Sequence, residues 1–163
     1  MDLTVQVKLS PNTQQLLTHF GDVLRPAIIA GMELTMQAAE AEVVQKTPVD
    51  QGTLRGSAYG RVVDLWPVVE GHLGSPLIYA LPVEEGSKPH WPPRAPIQAW
   101  VHRKFGLSGK EMISVAFLVA RAMSRRGTRA HHMFQQGFEL AQRLAPRLVG
   151  AAVERVSRTL SDR

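Results

Sequence analysis

The chain has 163 residues, 44% hydrophobic and 20% charged, with a net charge of +5 and no cysteine. That length fits one domain over residues 1–163, and the balance of apolar and charged residues suits a packed core rather than a disordered chain. Without cysteine, disulfide scaffolds, thiolate zinc sites and thiol nucleophiles are excluded.

The basic excess is local. From Arg121 to Arg163 nine arginines stand against three acids, which is more than the whole net charge, so the first 120 residues are close to neutral. An asymmetry of this kind suits nucleic acid or an acidic partner surface, with Arg121, Arg125, Arg126 and Arg129 as the candidate contacts. The plainer alternative is a solvated helix face. No basic-then-apolar leader opens the sequence, and no apolar run approaches a membrane span. The expectation is a soluble chain made in the cytoplasm.

In chain order, Leu3, Val5, Val7 and Leu9 alternate with polar residues, which predicts a half-buried strand. Ser10-Pro11-Asn12-Thr13 ends it and offers caps for a helix. Leu16, Leu17, Phe20 and Leu24 recur at helical spacing up to Pro26. There either a second helix begins or one long helix bends. Ile28, Met32, Thr35, Ala39 and Val43 then form one helical stripe, with small residues that allow close approach to a sheet.

Thr47-Pro48 stops that helix, because the residue before proline is pushed out of the α region. Asp50-Gln51-Gly52 predicts a turn capped by Asp50, which can also pair with Arg55. From Leu54 an alternation of period two predicts a strand. Asp64-Leu65-Trp66-Pro67 turns it into a partner strand over Val68 to Gly74. Leu77 to Ser87 predicts an irregular or one-turn helical element. Lys88 to Pro96 holds four prolines in nine residues, so an extended, exposed arm is expected, with Pro89, Trp91, Pro92 and Pro93 as candidate contacts to a neighbouring subunit.

Ile97, Trp100, Val101 and Phe105 predict a short helix ended by Gly106. Ser108 and Glu111 are spaced as a capping box for the next helix. That helix, about Lys110 to Ser124, is apolar on most faces, so it needs deep burial or a subunit contact. Phe134, Phe138, Ala141, Ala145, Leu148, Ala152, Val156 and Leu160 mark a long final amphipathic helix interrupted by Pro146. The fold class is α+β: a long N-terminal helix and C-terminal helices packed on a small antiparallel sheet, with an extended Pro-rich arm.

Candidates for chemistry are sparse. The six histidines have no metal-ligand spacing, and His131-His132 are adjacent, so they point different ways. No serine sits in a nucleophile elbow and no phosphate loop is present. Glu84-Glu85 and the acids Glu33, Glu40 and Glu42 are most simply solvated faces. The reading is of a non-enzyme without cofactor or metal.

Three stretches carry a resemblance. Lys46 to Ser57, with Thr47, Pro48, Val49, Asp50, Gly52, Leu54 and Arg55, resembles the "TPVDTGxLRxS" signature of a tailed-phage family of tail-component, tail-completion or neck proteins, among them the minor tail protein Z type. Ile78 to Ser87, with Tyr79, Ala80, Glu84 and Gly86, resembles the family's "YAxxVExGT". Gly127 to Phe134 resembles its "GTxARPFF". Gln51 and His131-His132-Met133 depart from the pattern, and residues 88–126 correspond to an arm-plus-helix insertion of larger members.

The resemblance implies a structural virion protein at the head–tail junction. It would form a homo-oligomeric ring, hexameric or alternatively dodecameric, between the head connector or stopper and the tail tube or terminator, with DNA passing through the lumen. The alternative is a free, non-specific DNA-binding module using the arginine-rich C-terminal third.

Overall fold

A computed structural model describes residues 2–6 and 11–161, with side chains described for 2–6 and 21–159. Three strands and six helices follow in the order β1 (Asp2–Gln6), α1 (Pro11–Lys46), α2 (Thr53–Ser57), β2 (Tyr59–Leu65), β3 (Val68–Gly74), α3 (Ala80–Glu85), α4 (Arg94–Phe105), α5 (Gly109–Arg126) and α6 (Met133–Ser161). The fold is α+β, as the sequence predicts.

The sheet is antiparallel with strand order β1-β3-β2. Register places Leu3 opposite Leu73, Val5 opposite Gly71 and Val62 opposite Gly71 on the other edge, so these side chains share the inner face. Leu65 and Val68 stand exposed on the outer face at the hairpin end, and toward β1 that face is polar. There His72 lies 3.3 Å from Asp2 and 3.2 Å from Glu70, and Gln6 donates to Glu70. One wet and one buried face are what the period of two along β3 encodes. The expected strand residues Val7 and Leu9 lie outside the described residues.

α1 runs unbroken through Pro26. Its stripe of Ile28, Met32, Thr35, Ala39 and Val43 is buried, joined by Met36. The stripe meets α6 as well as the sheet. A side chain on Gly31 would sit 2.7 Å from the Val149 backbone, and one on Gly137 would sit 2.9 Å from the Ala39 carbonyl. The two long helices therefore approach as closely as their backbones permit. Met133, Phe134, Ala141, Ala145 and Val149 complete this core from α6.

Two local expectations are corrected. The strand expected from Leu54 begins at Tyr59, and Thr53–Ser57 is a short helix. Gly52 adopts a left-handed φ of 81° and its carbonyl accepts from Gly56 N–H, closing a helical turn. The apparent alternation there rests on Gly, Ala and Ser, which carry little hydrophobic signal. The Pro-rich arm is also shorter than expected. It ends at Pro93, Pro92 is buried, and Trp91 packs against Phe117 with ring centres 5.8 Å apart. Proline is tolerated in a first helical turn, which lets α4 absorb Pro96.

α4 and α5 form a hairpin packed chiefly on each other. The expected capping box at Ser108 is absent: its hydroxyl makes no cap hydrogen bond, and the helix opens on Gly109 with φ 57°. Only Ala116 and Ala120 of α5 are buried, while Ile113, Phe117 and Leu118 face outward. The deep burial within the chain that was one expectation for this helix is not found. No helix among the described residues is long and apolar enough to cross a membrane.

Candidate functional site

The three motif stretches, far apart in sequence, converge. Thr47 closes α1: its N–H and its hydroxyl both donate to the Val43 carbonyl, at 2.9 and 2.6 Å. The chain then turns out through the exposed Pro48, Val49 and Asp50 to Gly52, and Leu54 returns to the core. This turn forms one wall of a cleft of about 630 Å³. Tyr79 and Val83 form the next wall, His131 the third, and Trp100 and Lys104 of α4 close it.

Asp50 does not pair with Arg55. Its carboxylate accepts from Arg103 on α4, at 2.6 and 3.3 Å, while Arg55 donates to the Val44 carbonyl at 2.8 Å. The Arg103 hydrogen bond holds the Asp50 carboxyl below its ordinary range and the same bond raises the Arg103 guanidinium. Nor does Asp50 cap α2, whose first residue is preceded by Gly52 with no side-chain cap. Its role is to tie the motif turn to the α4–α5 hairpin. A partner 53 residues away leaves no local trace in the sequence.

The second and third motifs form one joint. Glu84, expected on a solvated face, is 2% exposed. Its two carboxylate oxygens accept from Phe134 N–H at 2.9 Å and Gln135 N–H at 2.8 Å. Those are among the first amides of α6, which have no partner inside the helix and which favour a negative charge. A cap is thus supplied from α3, 50 residues upstream, and the Glu84 carbonyl also accepts from His131 and His132 N–H. Ala80 is fully buried behind it, and Phe134 fills the core below.

Next to the cap, Ser87 and Thr128 form an isolated antiparallel bridge. Gly86 and Gly127 flank it with φ of 75° and 71°. A side chain on Gly127 would overlap the Ser87 carbonyl, and one on Gly86 would crowd the Thr128 carbonyl. Glycine is required at both places by conformation and by space. Residues 88–127 therefore leave the body and return to it at a single pinch point.

The arginines divide. Arg121, Arg125 and Arg126 line one shallow hollow of α5 with Leu118 and Ala122, whereas Arg129 is exposed beyond the bridge. Pro89 and Pro93 are exposed at the two ends of the short arm. A second, more apolar groove of about 470 Å³ lies along α5, lined by Trp91, Arg94, Gln98, Ile113, Phe117 and Leu118 among others. Among the described residues, no three His, Asp or Glu side chains are grouped to hold a metal ion.

No family model, curated protein or solved structure matches the chain.

Proposed function

We propose that the protein is a structural component of a tailed-phage particle, forming a ring at the head–tail junction that completes the tail or joins it to the filled head. The observation that carries this reading is the convergence of the three family-like stretches. Three unrelated turns would have no reason to meet, yet Pro48 to Leu54, Tyr79, Val83 and His131 line one cleft. Glu84 and Gly86 of the second stretch are also locked to the third through the α6 cap and the Ser87–Thr128 bridge. Residues 88–126 then behave as an insertion mounted on a shared core. Outward apolar side chains on α5 supply the kind of surface that a repeated subunit contact buries. Rings arise from heterologous contacts that close. Six copies are expected from the six-fold tail tube, and twelve on the connector side. In this arrangement arginines of the C-terminal third contact DNA phosphates in the lumen without reading bases, while the hollow of Arg121, Arg125 and Arg126 is left to a subunit contact.

Electron microscopy of the purified protein and of particle necks tests this: six- or twelve-fold rings support it, and a chain absent from particles overturns it. The same hollow favours the second reading, a free DNA-binding module. That reading requires duplex affinity that falls steeply with salt and collapses when Arg121, Arg125 and Arg126 are all replaced by alanine.

A further inference from the structure

Among the described residues, two exposed surfaces complement each other. The first is the outer edge of α3 and the turn leading into it. Leu81 and Glu85 stand at i and i+4 on one side of α3, Pro82 lies beside them, Ile78 precedes them in the turn, and all four are exposed. Ile78 is 95% exposed, an extreme value for a large apolar side chain. This is a small convex ridge, apolar at its start and acidic at its end. The second surface is the α5 groove. Ile113, Phe117 and Leu118 make it apolar, and Leu118 also borders the hollow of Arg121 and Arg125. The groove is concave, apolar at its start and basic at its end.

The spacings agree. Leu118 to Arg125 spans about 10 Å along α5, and seven residues likewise separate Ile78 in the turn from Glu85 at the end of α3. If α3 lies beside α5 in the same direction, Ile78 and Leu81 fill the apolar part and Glu85 meets the arginines. Within one chain α3 and α5 are not packed on each other. Trp100 and Lys104 of α4 face the cleft that Tyr79 lines, while Arg94 and Gln98 face the α5 groove. Gln98 and Trp100 are two residues apart, roughly 200° around the helix, so α4 separates the α5 groove from the cleft beside α3.

Resting on the ring reading above, we propose that the α3 ridge of one copy docks in the α5 groove of the next, and that this head-to-tail contact is the repeating subunit interface. The contact is heterologous, because ridge and groove are different patches, and repetition of such a contact closes a ring or extends a filament. Acid and arginine at its polar end fix direction and reject the reversed pairing.

The cysteine-free sequence makes the test direct. A variant carrying both Ile78→Cys and Leu118→Cys is oxidised and resolved by denaturing electrophoresis. The expected result is a ladder of covalent oligomers ending at the ring size, with each single variant giving no ladder and a mixture of the two giving dimers alone. Efficient dimers from either single variant, an intramolecular link in the double variant, or no cross-link at all would each overturn the proposal. Adding Glu85→Arg should suppress the ladder, and adding Arg125→Glu to that variant should restore it; a ladder indifferent to both overturns the assigned direction. Circular dichroism and melting confirm that each variant is folded, which is expected because all of these positions are exposed. The functional reading fails separately. Particles that contain the protein while the double variant gives no ladder refute the interface alone, and a ladder from a protein absent from particles refutes the neck assignment alone.

Discussion

In α1, α6 and the sheet, apolar side chains point at one another; in α4 and α5, residues of the same kinds point at solvent. Met32, Met36, Leu73 and Phe134 are closed off from water, whereas Ile113, Phe117 and Leu118 are about half exposed or more. The body encloses its core by pressing two long helices together on one face of a sheet. The hairpin has only two helices and an arm, and two helices cannot cover each other's full circumference. The difference separates a part that closes its own core from a part that does not. The body closes its core in one copy, leaving Ile78 and Leu81 of the α3 ridge at its surface, and the hairpin is a surface held in a fixed place. Two devices fix that place: the glycine-flanked bridge at its base and the Asp50–Arg103 pair at its side.

The strongest way to break this division is at the base. Gly127→Ala forces an alanine into φ 71°, ψ −157°, a region open essentially to glycine alone, costing about 1–3 kcal/mol, and overlaps the Ser87 carbonyl, which adds about 1–3 kcal/mol. The expected loss is about 4 kcal/mol by denaturant titration, because the bridge abuts the α6 cap. Stability within 1 kcal/mol of the parent would mean that the hairpin's base is not part of the body's cooperative unit.

The cap itself comes next. Glu84→Ala strands two helix-start amides in a buried place and should cost about 3 kcal/mol. Glu84→Gln keeps one good acceptor and should cost about half as much. Equal losses from the two would assign the effect to lost packing rather than to the capped amides.

What the sequence revealed follows from how local each cause is. The α1 stripe, the β3 alternation and the final helix were legible because period alone encodes a buried face. The Gly52 turn was legible because proline and glycine act on their own backbone. Glu84 was misread for the opposite reason. Beside Glu85, and with its amide partners 50 residues away, it looks like an ordinary surface acid. Asp50 likewise was expected to serve the nearby Arg55, but takes Arg103 from another helix. The cleft was visible only indirectly, as three motifs in order, because nothing in their separate spacings says that they meet. Trp100 and Lys104 gave no signal at all as members of it.

On the hairpin, substitutions should do little to a single copy. Ile113→Ser and Leu118→Ser remove apolar groups that already face water, so each should change stability by no more than about 0.5 kcal/mol. The same changes should abolish any oligomer seen by light scattering. A large loss of stability in the separate chain would show that α5 closes a core of its own, and the contrast between body and hairpin would fall.

The smallest effect should be at the lateral tie, where it sharpens the contrast instead of breaking it. Both Asp50 and Arg103 are solvent-accessible, so their pair is screened and contributes little to global stability. Its consequence is positional. Asp50→Asn should leave the melting transition nearly unchanged at neutral pH, yet increase amide exchange in α4 relative to α1 and α6. The pH dependence has a definite sign. Arg103 lowers the Asp50 carboxyl below its ordinary range in the folded chain. The contribution is therefore fully present above that range and is lost as pH falls through the lowered value. In the parent, α4 exchange corrected for its intrinsic rate should rise on acidification through that window, and in Asp50→Asn it should stay flat. Added salt should move the parent toward the variant, since exposed charges are screened over about 10 Å at 0.1 M. Equal protection of α4 in both proteins at every pH would mean that the hairpin is held by its base alone.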